Sequence, residues 1–189
     1  MAGALDCGSA GFARDDGGAE FWNQPDGHRA ELIDGILYDV TPPGTAHQRL
    51  SRDLLMQLGS FIRETGGPCE VFSAPFAVRV TPDDRNWFEP DLTVVCDPSK
   101  ISERGCEAAP DLVVEIVSPS TQRRDYITKT ARYEEGGVRE YWIVDPAAGH
   151  TTVWRFDAES VAPRVYAFGD SVPVGIWDGA CEVRVGERG

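Results

Sequence analysis

The sequence predicts one α/β domain, in which a mixed β-sheet is flanked by helices and followed by extra antiparallel strands at the C-terminal end. Two segments have the apolar spacing of helices, and short strand-like runs separate and follow them. No internal repeat or linker-like composition divides the chain. We therefore predict a flexible tail over residues 1–18 and a single domain over residues 19–189.

The composition restricts the possible environments. A chain of 189 residues, 41% of them hydrophobic, is long enough to bury a core of ordinary size. Its apolar runs fall far short of the roughly 18 residues that a membrane-spanning helix needs, so we expect no membrane crossing. The first residues lack the basic start and apolar run of an export signal, which favours a cytoplasmic location. The five cysteines show no zinc-ligand spacing and are expected to be reduced and structural.

The charge balance is strongly acidic. Asp and Glu total 31 against 18 Lys and Arg, a net charge of -13. This charge works against indiscriminate binding of a polyanion, so a role on nucleic acid requires a local basic patch, a metal ion, or both. Lysine is rare, since only Lys100 and Lys129 occur, and the position of each is therefore informative.

The first half of the domain begins with a predicted hairpin. The run AELIDGILYDV has two apolar segments split by Asp34-Gly35, a dipeptide typical of tight hairpin turns. From Thr45, apolar residues recur at helical spacing until Gly66-Gly67, which predicts the longest helix of the chain. Four strand-like runs follow: CEVFS, FAVRV, FEPDLTVV and PDLVVEIV.

The second half opens with a predicted helix over residues 122–135. Ser120 or Thr121 is its expected N-cap, and Gly136-Gly137 ends it. The near-continuous apolar run REYWIVD predicts a buried strand. The runs TTVWRF, RVYAF and CEVRV predict the antiparallel strands at the end of the chain.

Glu115 interrupts the apolar strand LVVEIV, where a carboxylate is expected to be buried. An unpaired buried carboxylate costs several kcal/mol, so a metal ion, a buried cation or a proton must neutralise it. The alternative is a structural pairing with an arginine, or a position at the end of the sheet in water.

Asp91 begins another apolar strand, directly after Pro90. If that strand lies beside the one carrying Glu115, side-chain alternation allows both carboxylates to point to one face. Two carboxylates at this spacing suit one Mg²⁺ ion, with water filling its remaining positions.

Lys129 lies on the second predicted helix, one turn after Asp125 and one turn before Tyr133. There it can lean toward the two carboxylates, or form an ordinary surface ion pair with Asp125. The same helix carries Arg123, Arg124 and Arg132, which makes it a candidate patch for phosphate; the alternative is a solvated helix face.

An ordered series of motifs resembles a known family. ELIDG, His47, FEPDLTVV, PDLVVEIVSPST, Arg124-Asp125 and KTARYEEGGVREYWIVDP together resemble the Uma-two family, which is grouped with restriction endonucleases in the PD-(D/E)XK nuclease superfamily. The match runs from about Glu31 to Pro146. It implies a restriction-endonuclease-like fold and a Mg²⁺-dependent endonuclease, with Mn²⁺ as a substitute ion and DNA as the expected substrate. A homodimer is expected by analogy alone.

The resemblance also implies roles for four residues. Asp91 matches the acid of the Pro-Asp motif and Glu115 the second acid, and these two would bind the metal. The superfamily pattern places a lysine two residues after the second acid, where this chain has Val117, and Lys129 matches the lysine that replaces it in Uma-two proteins. Glu31 matches the acid of ELIDG and would complete the catalytic site.

Some alternatives remain open from the sequence alone. A second Pro-Asp pair, Pro110-Asp111, competes with Asp91, although Asp111 lies about 13 Å along the same strand from Glu115. His28, His47 and His150 lack metal-ligand spacing and are interpreted as surface or hydrogen-bonding residues. The same fold is also compatible with a catalytically inactive binding or regulatory module, in which the acids form only a charge network.

Overall fold

The computed structural model describes residues 17–25, 27–119, 121–159 and 161–187. Most of the predicted tail, residues 1–16, lies outside the described residues, as do Cys7 and the expected cap Ser120. The described chain begins with a short helix, α1 (Gly17–Trp22). No helix in these ranges is long and apolar enough to cross a membrane.

A first mixed sheet, sheet A, is built from short strands of the N-terminal half. Its strands are β1 (Ala30–Ile33), β2 (Ile36–Asp39), β4 (Val78–Arg79), β5 (Trp87–Phe88), β7 (Ile101–Ser102) and β8 (Gly105–Cys106). They lie in the order β2-β1-β5-β4-β8-β7, with β4 and β8 parallel and the other neighbours antiparallel. The predicted hairpin is confirmed: Asp34 and Gly35 both have positive φ, at 53° and 80°, as its two-residue turn requires.

A second mixed sheet, sheet B, contains the longer strands. Its strands are β3 (Glu70–Ser73), β6 (Leu92–Val95), β9 (Leu112–Ile116), β10 (Glu140–Asp145), β11 (His150–Arg155) and β12 (Arg164–Ala167). They lie in the order β12-β11-β10-β9-β6-β3, with β9 and β10 parallel and the other neighbours antiparallel. A separate antiparallel pair, β13 (Ser171–Val174) and β14 (Cys181–Arg184), confirms the extra strands predicted at the C-terminal end.

The predicted mixed α/β class is confirmed, but its strands form two six-stranded sheets and not the single sheet that the strand order suggested. The run FEPDLTVV is the reason. It is split at Pro90, which has no N–H for a ladder, so that Phe88 ends a strand of sheet A and Leu92 begins one of sheet B. Asp91 therefore lies where the chain crosses between the sheets.

The long helix is confirmed as α2 (Thr45–Thr65), which ends at Gly66 in the left-handed conformation. Its buried residues Leu54 and Leu58 pack against Trp142 and other apolar side chains on one face of sheet B. A second core fills the space between the two sheets and includes Phe88 and Tyr141. The candidate site borders this second core.

The helix predicted over residues 122–135 forms in two parts. A π-helical segment covers Arg124–Lys129, and α3 (Thr130–Gly136) continues it to Gly137. Apolar spacing does not distinguish a wide π turn from an α turn, so this difference is not visible in the sequence. Such wide turns are rare and often lie at functional sites.

The prediction that all cysteines are reduced is wrong for one pair, because Cys69 and Cys96 form a disulfide. In the β3–β6 ladder Glu70 lies opposite Val95, and one further step places Cys69 opposite Cys96. This register is set by the fold and cannot be inferred from cysteine spacing. Cys106 and Cys181 are free and buried.

Candidate functional site

Four ionisable side chains converge between the two sheets. The Lys129 ammonium nitrogen lies 2.8 Å from Glu31 Oε1, 2.8 Å from Glu115 Oε1 and 3.4 Å from Asp125 Oδ1. Exposure of these four side chains ranges from 4% to 8%. Glu31, Glu115 and Lys129, which the sequence singled out, therefore come together with Asp125 in one buried group, the acidic cluster.

Three elements contribute to the acidic cluster: one strand of each sheet and the π-helical segment. Glu31 lies in β1 of sheet A and Glu115 in β9 of sheet B, 84 positions apart in sequence. Asp125 and Lys129 lie one turn apart on the π-helical segment. The alternative of a solvated Asp125–Lys129 pair is wrong, since both side chains are 4% exposed.

The wide helical turn is held by hydrogen bonds to one carbonyl. The hydroxyls of Thr130 and Tyr141 donate to the backbone carbonyl of Asp125 over 3.0 and 3.1 Å. Tyr141 belongs to β10, so this contact attaches the helical segment to sheet B. This attachment fixes the position of Lys129 relative to Glu115.

Further donors orient the two glutamates. The Tyr133 hydroxyl donates to Glu115 Oε1 over 2.8 Å, and the backbone N–H of Glu89 donates to Glu31 Oε1 over 3.1 Å. The Lys129 ammonium nitrogen also lies 5.5 Å from the centre of the Phe88 ring. The cluster is therefore packed and hydrogen-bonded on several sides, which favours a single side-chain arrangement.

One cation faces three acids in this buried space. Burial raises the pKa of Glu115 well above its usual value, against the opposing effect of Lys129, and Asp125 and Glu31 raise it further. Burial alone would lower the pKa of Lys129, but the three surrounding carboxylates raise it well above the usual value. Lys129 is therefore a firmly protonated cation, and Glu115 retains a proton to higher pH than an exposed glutamate.

Asp91 lies beside this cluster, on the neighbouring strand. The two strands are neighbours, as a shared face for the two carboxylates requires: β6 and β9 are antiparallel, with Leu92 opposite Val114, and one further step places Asp91 opposite Glu115. Asp91 Oδ2 accepts a 2.7 Å hydrogen bond from the backbone N–H of Ile116. Its side chain is 18% exposed, so it is more accessible to solvent than the acidic cluster.

His47 holds Asp91 from the other side. Its Nε2 lies 3.0 Å from Asp91 Oδ2, while its Nδ1 is buried and makes no hydrogen bond with any described residue. The interpretation of His47 as a hydrogen-bonding residue agrees with this contact. The sequence did not indicate its partner, because 44 positions separate His47 and Asp91.

The competing acid, Asp111, has a different environment. Its Oδ2 accepts a 2.7 Å hydrogen bond from the backbone N–H of Cys96, and its Oδ1 lies 3.1 Å from an Arg139 guanidinium nitrogen. These contacts lie at the start of β9, away from Glu115. Asp111 is therefore part of a structural ion pair, and Asp91 is the acid that faces Glu115.

Two residues of the site were missed as members of it. The sequence identified Asp125 as an alternative ion-pair partner of Lys129 and Tyr133 as the residue one turn after Lys129, but neither was predicted as a site residue. Both follow from one signal, since Asp125, Lys129 and Tyr133 are spaced by four residues and share one helix face.

A metal ion would have to be held mainly by Asp91 and Glu115. Within the described ranges, no group of three or more His, Cys, Asp or Glu side chains is arranged to hold one. The hydrogen bonds and ion pairs of Asp91 end on Oδ2 and those of Glu115 on Oε1, so the second oxygen of each is uncommitted among the described residues. Mg²⁺ is commonly bound through one or two carboxylates with water completing its shell, and this donor pair fits that chemistry.

Comparisons with known proteins agree with the fold and the motifs. The model of the Uma2 family, described as "Putative restriction endonuclease", matches residues 19–176. The chain belongs to the Uma2 family. The resemblance to Uma-two proteins is thereby confirmed. "Uncharacterized protein slr1290" from Synechocystis sp. (strain ATCC 27184 / PCC 6803 / Kazusa) is 28% identical over 104 residues.

The extent of these matches differs. The aligned residues of the Synechocystis protein are 55% of this chain and 53% of that protein, so the chain spans about half the length of this relative. A crystal structure of "a putative nuclease belonging to DUF820" from Anabaena variabilis ATCC 29413 superposes with a TM-score of 0.72 and 20% identity, over 88% of this chain and 93% of the other. The superposition on the Anabaena structure establishes a common fold, and it confirms the predicted fold class.

Proposed function

We propose that this Uma2 family member is an endonuclease that hydrolyses phosphodiester bonds in DNA, with Mg²⁺ or Mn²⁺ bound by Asp91 and Glu115. The observation that carries the proposal is the position of Lys129, a buried ammonium held between Glu31 and Glu115 and next to the strand position of Asp91. Family membership supports the same reaction. Perturbed ionisable groups gathered at one place are also typical of catalytic sites.

In this proposal, each polar residue of the site has a separate role. Lys129, fixed by its carboxylate partners, supplies a permanent positive charge that stabilises negative charge as it develops on the phosphate. Glu31 keeps the ammonium in place and so acts through Lys129. His47 and the Ile116 N–H hold one oxygen of Asp91, which aims the other oxygen away from them. A bound Mg²⁺ would polarise a phosphate oxygen and lower the pKa of a bound water.

One observation favours a second candidate, a binding module without catalysis. Lys129 already satisfies Glu31 and Glu115 at 2.8 Å, so the acidic cluster is neutralised in part without any metal. In that case the acids would stabilise the fold only. The two candidates differ in whether a divalent cation interacts with the protein.

A metal-dependent thermal shift separates the two candidates. Mg²⁺ or Mn²⁺ is expected to raise the Tm of the wild type, because binding to the folded state alone stabilises it. Glu115→Gln keeps the size of the side chain and the Oε1 acceptor for Tyr133 but removes the charge. Its Tm is therefore expected not to change when Mg²⁺ or Mn²⁺ is added. If neither protein responds to either ion, the inactive module is the better description.

Cleavage is tested directly on plasmid, linear duplex and single-stranded DNA in the presence of Mg²⁺ or Mn²⁺. The wild type is expected to cut at least one substrate, and Asp91→Ala and Lys129→Ala are expected to lose that activity. Equal cleavage by all three proteins would indicate a contaminating nuclease and would refute the assignment. A homodimer remains a prediction, and its test is the molecular mass in solution with and without DNA.

A further inference from the structure

Arg124 and Tyr38 form a stacked pair beside the acidic cluster. The guanidinium carbon of Arg124 lies 4.2 Å from the centre of the Tyr38 ring, well within the range of a cation–π contact. Tyr38 is the cross-strand partner of Glu31 in the β1–β2 hairpin, so both side chains lie on the same face of sheet A. Arg124 also begins the π-helical segment that ends at Lys129.

The other cations of this helix already have partners or are less constrained. Arg132 forms ion pairs with Asp34 and Glu135, and Lys129 is enclosed by the acidic cluster. In the part of the chain that the structure describes, Arg124 forms no ion pair with a carboxylate. Arg123 is exposed, and among the described residues no aromatic ring lies beneath its guanidinium. Of the basic patch predicted from sequence, the two cations outside these ion pairs are therefore Arg124, whose guanidinium is held over Tyr38, and Arg123, which is exposed.

A nucleic-acid substrate of this site needs a cation beside the acidic cluster that can bind its phosphates. The acidic cluster contains three carboxylates and one ammonium, in a protein of net charge -13, so it repels an approaching phosphate. A guanidinium that stacks on a ring keeps its edge N–H groups available for two parallel hydrogen bonds to phosphate oxygens. Because Tyr38 already orders the side chain, less conformational entropy is lost on binding.

We propose that Arg124, oriented by Tyr38, binds a backbone phosphate of the nucleic acid next to the bond that is cut. This inference rests on the proposed nuclease function and specifies how the substrate is held. It assigns Tyr38 a positioning role, since its ring contacts Arg124 and not the phosphate. It also predicts a contact that does not depend on base sequence.

The test is the binding of fluorescein-labelled duplex DNA, single-stranded DNA and RNA of one sequence, followed by anisotropy across a range of salt concentrations. Ca²⁺ and EDTA are used in parallel to suppress cleavage, and the recovered strands are checked on a gel. Arg124→Ala is expected to weaken binding about tenfold, the loss of one hydrogen-bonded charge contact. The slope of log Kd against log salt is expected to fall by about one.

Further variants make the result specific. Tyr38→Ala is expected to lose part of the affinity and Tyr38→Phe, which keeps the ring, to recover it. Arg124→Lys keeps the charge without the planar fork and is expected to bind with intermediate affinity. Arg63→Ala is the charge-matched control: Arg63 lies 16 residues after His47 on α2, about 24 Å along the helix axis. Tm values verify that each variant is folded.

The possible outcomes are distinct. If the wild type binds and cuts DNA but Arg124→Ala binds within twofold of it, the inference fails and the proposed function stands. If Arg123→Ala loses as much affinity as Arg124→Ala, DNA binding depends only on the general positive charge of the helix. That result would refute the role of the stacked pair. If the wild type neither binds nor cuts duplex DNA, single-stranded DNA or RNA, the proposed function fails and the inference fails with it.

Discussion

Replacing Lys129 by methionine tests whether the acidic cluster depends on its single cation. Methionine has a similar length and no charge, so the change leaves Glu31, Glu115 and Asp125 buried without their partner. These side chains are 4% to 8% exposed, and solvent therefore screens them little. Removing one partner from a buried ion pair typically costs about 3 to 5 kcal/mol, and we expect a loss of unfolding free energy in that range at pH 7.

The loss should depend on pH in a defined direction. Burial already raises the pKa values of Glu115 and Asp125, and removing the cation raises them further. A carboxyl group whose pKa is higher in the folded state stabilises the fold at low pH, and that stability is lost as the pH rises through the folded-state pKa. The difference between the wild type and Lys129→Met is therefore expected to be smallest in acid and to grow toward neutral pH.

Urea unfolding followed by tryptophan fluorescence measures this effect, since Trp142 is fully buried in sheet B. The double variant Lys129→Met/Glu115→Gln should be more stable than the sum of the single losses by about 0.5 to 3 kcal/mol, the range for residues in contact. Arg132→Ala is the control on the same helix, since its pair with Asp34 is 33% and 42% exposed and is worth about 0 to 1 kcal/mol. A Lys129→Met protein that unfolds within about 1 kcal/mol of the wild type would refute the idea of an interdependent cluster.

Substitutions at four other positions probe the surroundings of the cluster and the competing acid. Tyr133→Phe removes the hydroxyl that donates to Glu115 and is expected to cost about 1 to 3 kcal/mol in urea unfolding; an unchanged midpoint would contradict that bond. His47→Ala is expected to lower the cleavage rate about 10- to 100-fold, as loss of a group that orients a metal ligand typically does, whereas His47→Gln keeps an Nε2 donor and should recover activity; equal rates for the two would argue against orientation of Asp91. Asp111→Asn is expected to lower stability by about 1 to 3 kcal/mol and to leave the cleavage rate unchanged, whereas Asp91→Asn should abolish cleavage while the protein stays folded; the opposite pattern would restore Asp111 as the metal ligand.

Local patterns explain what the sequence predicted well. The Asp34-Gly35 turn, the apolar stripe of α2 and the alternation of β9 side chains between the two cores are all set by neighbouring residues. The convergence of Glu31, Glu115 and Lys129 was expected only through a family resemblance. Composition and spacing alone left the surface pairing of Lys129 open.

The remaining features depend on contacts between distant segments. The division into two sheets at Pro90, the partnership of His47 with Asp91 and the bridge between Cys69 and Cys96 each join residues that only the fold brings together. The π-helical turn was invisible for another reason. It is stabilised by Tyr141, on a strand that follows the helix in the chain.

The crossing at Glu89-Pro90-Asp91 links the chemistry of the site to the completion of folding. The first of these residues fixes Glu31 through its N–H, and the last is bonded to the backbone beside Glu115. Neither sheet alone therefore carries the complete candidate site, because Glu31 lies in sheet A and Glu115 in sheet B. Under the proposed function, hydrolysis would therefore require the finished fold, with sheet A and sheet B both in place.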